Sequence, residues 1–203
     1  MLVPACPGVM KIPKRMIYEH TINGLPLKTG DIICTTNEGV PLVAGQFWRL
    51  VGMLIPGRVD HVAIYTGPKG RCVEAGPKGV IAYEVMNGTW DAAALRHRRG
   101  EMFDAFVGVA YPLAGRVMKE KEEDIREAVA SYCLAQAAAG KPYNLNFLDS
   151  RTKDAFYSSQ LAYLAYLPHL IDLNTGRCIY ELPGTASIIY PQEIWSGCVN
   201  KKA

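Results

Sequence analysis

The sequence predicts an α+β domain with an antiparallel sheet in the middle of the chain and helices after it. Two runs rich in β-branched and aromatic residues flank a Gly-Pro-Lys-Gly turn at 67–70, and a third run follows a second copy of this turn at 76–79. From Glu120 onward the apolar residues recur with a helical period. A change from strand patterning to helix patterning within one chain is typical of the α+β class.

The strands are predicted from short apolar runs bounded by turn residues. The two Gly-Pro-Lys-Gly turns make the central part a β-meander. The predicted strands are 31–34, 59–66, 71–75, 80–85, 93–97 and 103–111. The basic run 96–99, at the end of one of these strands, is interpreted as a solvated edge.

Two helices are predicted in the second half. Apolar residues spaced from Ile125 to Cys133 mark an amphipathic helix that Gly140 ends, and the run 156–167 marks a more deeply buried helix that stops at Pro168. An earlier apolar run, 42–54, is interpreted as a buried helix, with a lipid-facing helix as the alternative. The tail from Ile171 is expected to form loops and a short strand. No linker interrupts the chain, so a single domain over 1–203 is expected.

Composition excludes several classes of protein. The 203 residues carry a net charge of +3, which is too small and too dispersed to predict nucleic-acid binding. The run 42–55 is too short and too interrupted for a membrane span, so no stable membrane insertion is expected. The first fifteen residues lack the apolar stretch of a secretory signal, and the chain as given is expected to start in the cytoplasm.

The six cysteines include no Cys-x-x-Cys pair. They are interpreted as reduced core residues, and no metal or other cofactor is expected.

One histidine lies inside an apolar strand. If the strands around the first turn pair so that partner numbers sum to 137, His61 lies opposite Gly76 and Ala63 lies opposite Glu74. Glu74 is then diagonal to His61 on the same face, where its carboxylate can accept the imidazole N–H and fix the tautomer. Tyr65 shares that face and is expected to line the site. The alternative is a polar pair with no catalytic role.

A second candidate feature is the start of the buried helix. Ser158 and Ser159 lie where the helix dipole and free N–H groups favour an anion and can hold an oxyanion. The alternative is that either serine is simply an N-cap.

Together these features resemble the NlpC-type cell-wall peptidase superfamily, in its circularly permuted, papain-like (YiiX-like) branch. The resemblance extends from about residue 27 to about residue 195. The matching segments are 29–33 (TGDII), 60–67 (DHVAIYTG), 72–75 (CVEA), 156–163 (FYSSQLAY) and 190–194 (YPQEI).

The resemblance implies a permuted papain-like fold, an antiparallel sheet or small barrel packed against helices. It also implies His61 as general base, Glu74 as its orienting partner and position 158 as the nucleophile. Tyr157 and Ser159 would contact substrate beside it. The family has Cys where this chain has Ser158, and an acidic residue where it has Gln160.

Serine at position 158 matters because a hydroxyl cannot be held as an anion beside an imidazolium, as a thiol can. Two explanations are open. Ser158 is either a replacement that disables a cysteine enzyme, or a native residue of a serine hydrolase or of a binding-only relative. The intact His61 and Glu74 favour the replacement.

The resemblance implies a cysteine peptidase or amidase that acts on peptidoglycan stem peptides or related short peptides. Such an enzyme could recycle wall fragments, or be exported by a dedicated secretion system to act in a target periplasm as an antibacterial effector, with an immunity protein as partner. One alternative is a lipid acyl hydrolase or acyltransferase of the lecithin:retinol acyltransferase type, which exposure of Phe47 and Trp48 would favour. The other alternative is a non-catalytic module that binds peptide or lipid.

Overall fold

The structure is a computed structural model that describes residues 17–37, 57–175 and 187–203. Its main feature is a six-stranded sheet in the order β6-β5-β4-β3-β7-β8, in which every neighbouring pair is antiparallel. The strands are β1 Glu19–Ile22, β2 Leu25–Lys28, β3 Ile32–Thr36, β4 His61–Gly67, β5 Arg71–Gly76, β6 Gly79–Glu84, β7 Ala105–Tyr111 and β8 Val199–Lys202. The helices are α1 Ala92–Leu95, α2 Lys119–Ala138, α3 Ser158–Tyr166 and α4 Pro191–Gly197.

The meander β4-β5-β6 is confirmed. Ile64 pairs with Val73 and Tyr65 with Cys72, so the partner numbers sum to 137 as predicted, and a bulge follows Tyr65. The second Gly-Pro-Lys-Gly sequence is the tight turn between β5 and β6, where Gly76 pairs with Gly79. Gly79 has a φ of +81°, a conformation that favours glycine.

The sheet is covered on both faces. The β4 residues Val62 and Ile64 face α2 and α3 and pack with Leu161 and other apolar residues of those helices. The alternate residues Ala63 and Tyr65 face a second core that includes Ile22 and Leu27 of the β1-β2 hairpin, together with Trp90 and Leu95. This alternation follows from the two-residue period of a strand. It places His61 on the face of the second core.

The prediction of a strand over 93–97 is wrong, because this segment contains α1 and a turn. The Asp91 carboxylate accepts a hydrogen bond from the Ala94 N–H at 3.0 Å and caps the helix. Three consecutive alanines then follow, and alanine has the highest helix propensity. The strand predicted over 103–111 is confirmed as β7.

The two ends of the described chain contain more structure than the sequence patterns indicated. Asn23 and Gly24 both have positive φ and form the turn of the β1-β2 hairpin, for which Asn-Gly is the preferred dipeptide. The tail contains the expected short strand, β8, and also the helix α4.

The helices predicted around Ile125–Cys133 and over 156–167 are confirmed as α2 and α3. The apolar run 42–54 lies outside the described residues.

Four cysteines are described, and all four are buried free thiols, as expected: Cys34, Cys72, Cys133 and Cys198. Burial raises the pKa of Cys133 to about 12 and that of Cys198 to about 11. Thiols with such pKa values are poor nucleophiles. Cys6 and Cys178 lie outside the described residues. Within the described ranges, no helix has the length and apolar character needed to cross a membrane.

Candidate active site

His61 is the first residue of β4 and contacts Glu74 of β5, as the predicted register requires. His61 Nε2 and Glu74 Oε2 are 2.9 Å apart, and both side chains are buried. A carboxylate only accepts hydrogen bonds, so Nε2 carries the proton and donates a hydrogen bond to Glu74. Nδ1 is therefore the ring nitrogen with a free lone pair, and it is the atom that can take a proton from a nucleophile.

Glu74 is held by an arginine that the sequence analysis misinterpreted. Arg99 is not part of a solvated edge: its side chain is 0% exposed. Its Nε and Nη2 donate to the two Glu74 carboxylate oxygens at 2.9 and 2.7 Å. Tyr83 adds a further hydrogen bond, from its hydroxyl to Glu74 Oε2 at 3.2 Å. Glu74 thus receives donors from three side chains.

The same arginine also binds Asp104, which lies immediately before β7. Arg99 Nη1 and Nη2 donate to the two Asp104 carboxylate oxygens at 2.5 and 3.0 Å. The guanidinium lies over the rings of Tyr83 and Trp90, with its carbon 5.3 and 4.8 Å from the ring centroids. Contacts of this kind stabilise a cation that is removed from water.

These contacts determine the charge of Glu74. Burial alone would raise the pKa of this carboxyl, but the Arg99 guanidinium and His61 lower it to about 2. Glu74 is therefore an anion at neutral pH. An anionic partner fixes the His61 tautomer and stabilises the imidazolium that forms when His61 accepts a proton.

Helix α3 begins at the same end of the sheet as His61. At its other end, the Tyr166 hydroxyl donates to Gly30 O at 2.5 Å, and the Gly30 N–H donates to Tyr65 O at 2.8 Å. These bonds place the end of α3 beside Tyr65. Nine helical residues span about 12 Å, and the strand from Tyr65 back to His61 spans about 13 Å. Ser158 is therefore level with the start of β4, although α3 packs on the face of the sheet opposite to the one that His61 shares with the second core.

A second set of hydrogen bonds connects the start of α3 to the start of β4. Ser159 Oγ donates to Ile189 O at 2.6 Å, and Gln192, three residues further on, accepts the Val59 N–H at 3.0 Å through Oε1. Val59 lies two residues before His61. The segment from Ile189 to Gln192 therefore ties the first turn of α3 to the strand that carries His61.

The side chains around Ser158 have structural partners. The Tyr157 hydroxyl accepts the Ile189 N–H at 3.1 Å. Gln160 Oε1 accepts the Tyr157 N–H at 3.2 Å, and its Nε2 donates to Thr152 O at 3.1 Å. The second of these bonds needs an amide, because a carboxylate has no proton to donate. Glutamine at position 160 thus fits its surroundings.

The structure brings the predicted site residues into two groups at one end of the sheet. His61 and Glu74 form one group, and Tyr157, Ser158 and Ser159 form the other. In the described ranges, no hydrogen bond joins Ser158 Oγ to His61. Tyr65 is four residues from His61 on the same face, where it is buried and stacks on His20 with 5.8 Å between ring centroids.

Arg99 and Asp104 are the residues that sequence reasoning missed. Arg99 lies in a run of four basic or ionisable residues whose pattern gives no sign of burial. Asp104 is an acidic residue at the start of an apolar strand, which is a weak signal for a buried ion pair. Neither residue could be placed near Glu74 from the sequence, because the positions of both depend on the path of the chain after α1.

The depressed pKa of Glu74 predicts a loss of stability in acid. The ordinary value is 4.5 and the folded value is about 2, so the contribution is complete above pH 4.5 and is lost as the pH falls towards 2. This carboxyl is expected to contribute about 3 kcal/mol to the free energy of unfolding at neutral pH. Urea unfolding at a series of pH values between 6 and 2 measures the loss. His97 and Arg96 also lower the pKa of Glu101, but this ion pair is exposed, so Glu101→Gln should reduce the loss only slightly; stability that is constant down to pH 2.5 would contradict the assignment.

Comparisons of the chain with protein-family models, with curated proteins and with solved structures gave no match. The resemblance to NlpC-type peptidases therefore rests on the sequence segments quoted above.

Proposed function

We propose that this chain carries a hydrolase site of the permuted papain-like type, in which residue 158 is the nucleophile position and His61 is the general base. The observation that carries the proposal is the 2.9 Å contact between His61 Nε2 and the anionic Glu74, at the end of the sheet where α3 begins. A base oriented by a third group, at the end of the sheet where the helix with the nucleophile position starts, supports nucleophilic acyl transfer.

The reaction is the hydrolysis of an amide. The nucleophile at position 158 attacks the carbonyl carbon while Nδ1 of His61 takes its proton. The N–H groups of the first turn of α3 have no acceptor within the helix, and they stabilise the oxyanion. The C–N bond breaks as His61 returns the proton to the leaving amine. Water, activated by His61, then hydrolyses the acyl-enzyme.

Serine at position 158 makes the site weak or inactive. In papain-like chemistry the imidazolium faces a thiolate, and a serine hydroxyl is far too weakly acidic to form the corresponding anion. The intact pair of His61 and Glu74 supports a parent enzyme with cysteine at this position. With cysteine restored, the site is expected to act as a peptidase or amidase.

The proposed substrates are peptidoglycan stem peptides or related short peptides, which follow from the resemblance alone. An antibacterial effector exported to a target periplasm is a role that fits such a substrate. Normal growth of cells that export the Ser158→Cys form to the periplasm would contradict the effector role.

The test is hydrolysis of purified peptidoglycan by the chain with Ser158 and by Ser158→Cys, with the products identified by mass spectrometry. Phospholipid vesicles serve as the second substrate. Release of peptide fragments by Ser158→Cys alone supports the proposal. Release of fatty acid instead would assign the site to lipids, and cleavage of neither substrate by either protein would leave a binding module. Phe47 and Trp48, whose exposure would favour lipids, lie outside the described residues.

A further inference from the structure

The contacts around Glu74 connect five buried polar residues in a ring that closes through the backbone pairing of β3 with β4. His61 contacts Glu74, Glu74 contacts Arg99, and Arg99 contacts Asp104. Thr35 completes the ring, because its Oγ1 donates to Asp104 Oδ2 at 2.5 Å and it is the β3 residue directly opposite His61. All five side chains are buried.

The ring contains two carboxylates and one guanidinium. Arg99 divides its donors between Glu74 and Asp104, so its single positive charge cannot neutralise both. With a neutral imidazole the ring carries one net negative charge. With His61 as an imidazolium the net charge is zero. A buried excess charge is costly, and an imidazolium formed at His61 during the reaction would remove it.

We propose that Asp104 is a positioning residue that acts on His61 through Arg99. Because Asp104 accepts part of the Arg99 hydrogen bonds, Arg99 compensates the negative charge of Glu74 only in part. The remaining charge of Glu74 stabilises the imidazolium of His61. The inference rests on the proposed function, in which His61 is the general base. It adds a specific claim, that the basicity of His61 is set by a carboxylate that does not touch it.

The groups that face His61 support this assignment. From β3 it faces Thr35, from β5 Glu74, and from β6 Tyr83, which acts through Glu74. Arg99 and Asp104 complete the set from the segment between α1 and β7. The neighbouring Asp60 carboxylate accepts the Asn37 N–H at 2.8 Å. Among these described groups, Asp104 is the carboxylate that competes with Glu74 for Arg99.

The test is nitrogen-edited NMR of the His61 imidazole in the chain with Ser158 and in its Asp104→Asn variant. At a fixed pH near 6.5, the ratio of imidazolium to imidazole is expected to fall about tenfold in the variant. The neutral His61 should remain protonated on Nε2, because Glu74 is still present. Asp154→Asn removes one charge at a side chain that is 95% exposed, and it should leave the ratio within about twofold.

Two further variants separate charge from folding. Thr35→Val removes a hydrogen bond to Asp104 but no charge, and it should change the ratio far less than Asp104→Asn does. Asp104→Ser removes the charge without placing an amide against Arg99, and it replaces Asp104→Asn if that protein does not fold. An unchanged ratio in a folded Asp104 variant would overturn the proposal.

The outcome does not depend on hydrolysis, since the NMR measurement uses the serine chain without substrate. In the Ser158→Cys background, Asp104→Asn is also expected to shift the pH profile of kcat/KM. If Ser158→Cys cuts no substrate but the NMR ratio falls as expected, the ring tunes His61 and the proposed hydrolase function is wrong. If hydrolysis is found and the ratio is unchanged, the function stands and the role of Asp104 is wrong.

Discussion

His61→Ala in a Ser158→Cys background is expected to lower the rate of peptide hydrolysis by a factor on the order of 10²–10⁴, the usual contribution of a general base. The variant removes the imidazole that takes the proton from the nucleophile and leaves Glu74 paired with Arg99. The measurement is kcat/KM on the peptidoglycan fragment that Ser158→Cys releases fastest. His97→Ala is the matched control, because His97 is an exposed histidine that pairs with Glu101 and should not affect the rate.

Equal losses in the two histidine variants would show that His61 has no special role. A large increase in KM without a change in kcat would assign His61 to substrate binding rather than to proton transfer. Either result would leave the buried pair with Glu74 as a structural feature of the sheet, which is the alternative that the strand pattern left open.

Arg99→Met is expected to reduce the free energy of unfolding by about 3–5 kcal/mol, the typical cost of removing one partner from a buried ion pair. The variant leaves Glu74 and Asp104 buried without the cation that pairs with both. Urea unfolding at pH 7 measures the change. Arg98→Met is the matched control, since Arg98 is the adjacent exposed arginine and its loss should cost no more than about 0.5 kcal/mol.

If the two arginine variants were equally stable, the buried ion pairs of Arg99 would make no net contribution to stability, which would contradict the prediction. The contrast between the two neighbours also depends on the turn after α1. Arg99 N–H bonds to Leu95 O at 3.2 Å and Glu101 N–H bonds to Arg96 O at 3.0 Å, which turns Arg99 inward while Arg98 faces solvent.

The fold was predictable where local patterns and tertiary packing agree. The β4-β5 register followed from the turn at 67–70, and α2 and α3 followed from periodicity and from their stop residues Gly140 and Pro168. The segment 93–97 was not predictable as a strand, because helix capping by Asp91 outweighs its short apolar pattern. The hairpin at Asn23-Gly24 carried a clear turn signal that the strand analysis did not use.

The site was predictable only in part. The pair of His61 and Glu74 follows from strand alternation, which is a local rule. Arg99 and Asp104 reach the pair from a separate segment, and contacts that depend on the path of a loop leave no periodic signal in the sequence. The level at which α3 starts relative to β4 was likewise set by tertiary bonds, from Tyr166 to Gly30 and from Ser159 to Ile189.

The central claim is that residue 158 and His61 belong to one reactive site. The most direct test is the pH dependence of iodoacetamide alkylation at the thiol introduced by Ser158→Cys, followed by peptide mass spectrometry, with His61→Ala as the comparison. The account predicts a thiol pKa below about 7 that returns to about 8.5, the ordinary value, when His61 is removed. Burial raises the pKa of each of the four described native cysteines, so these thiols should react slowly. A thiol at position 158 that titrates near its ordinary value in both proteins would contradict the account.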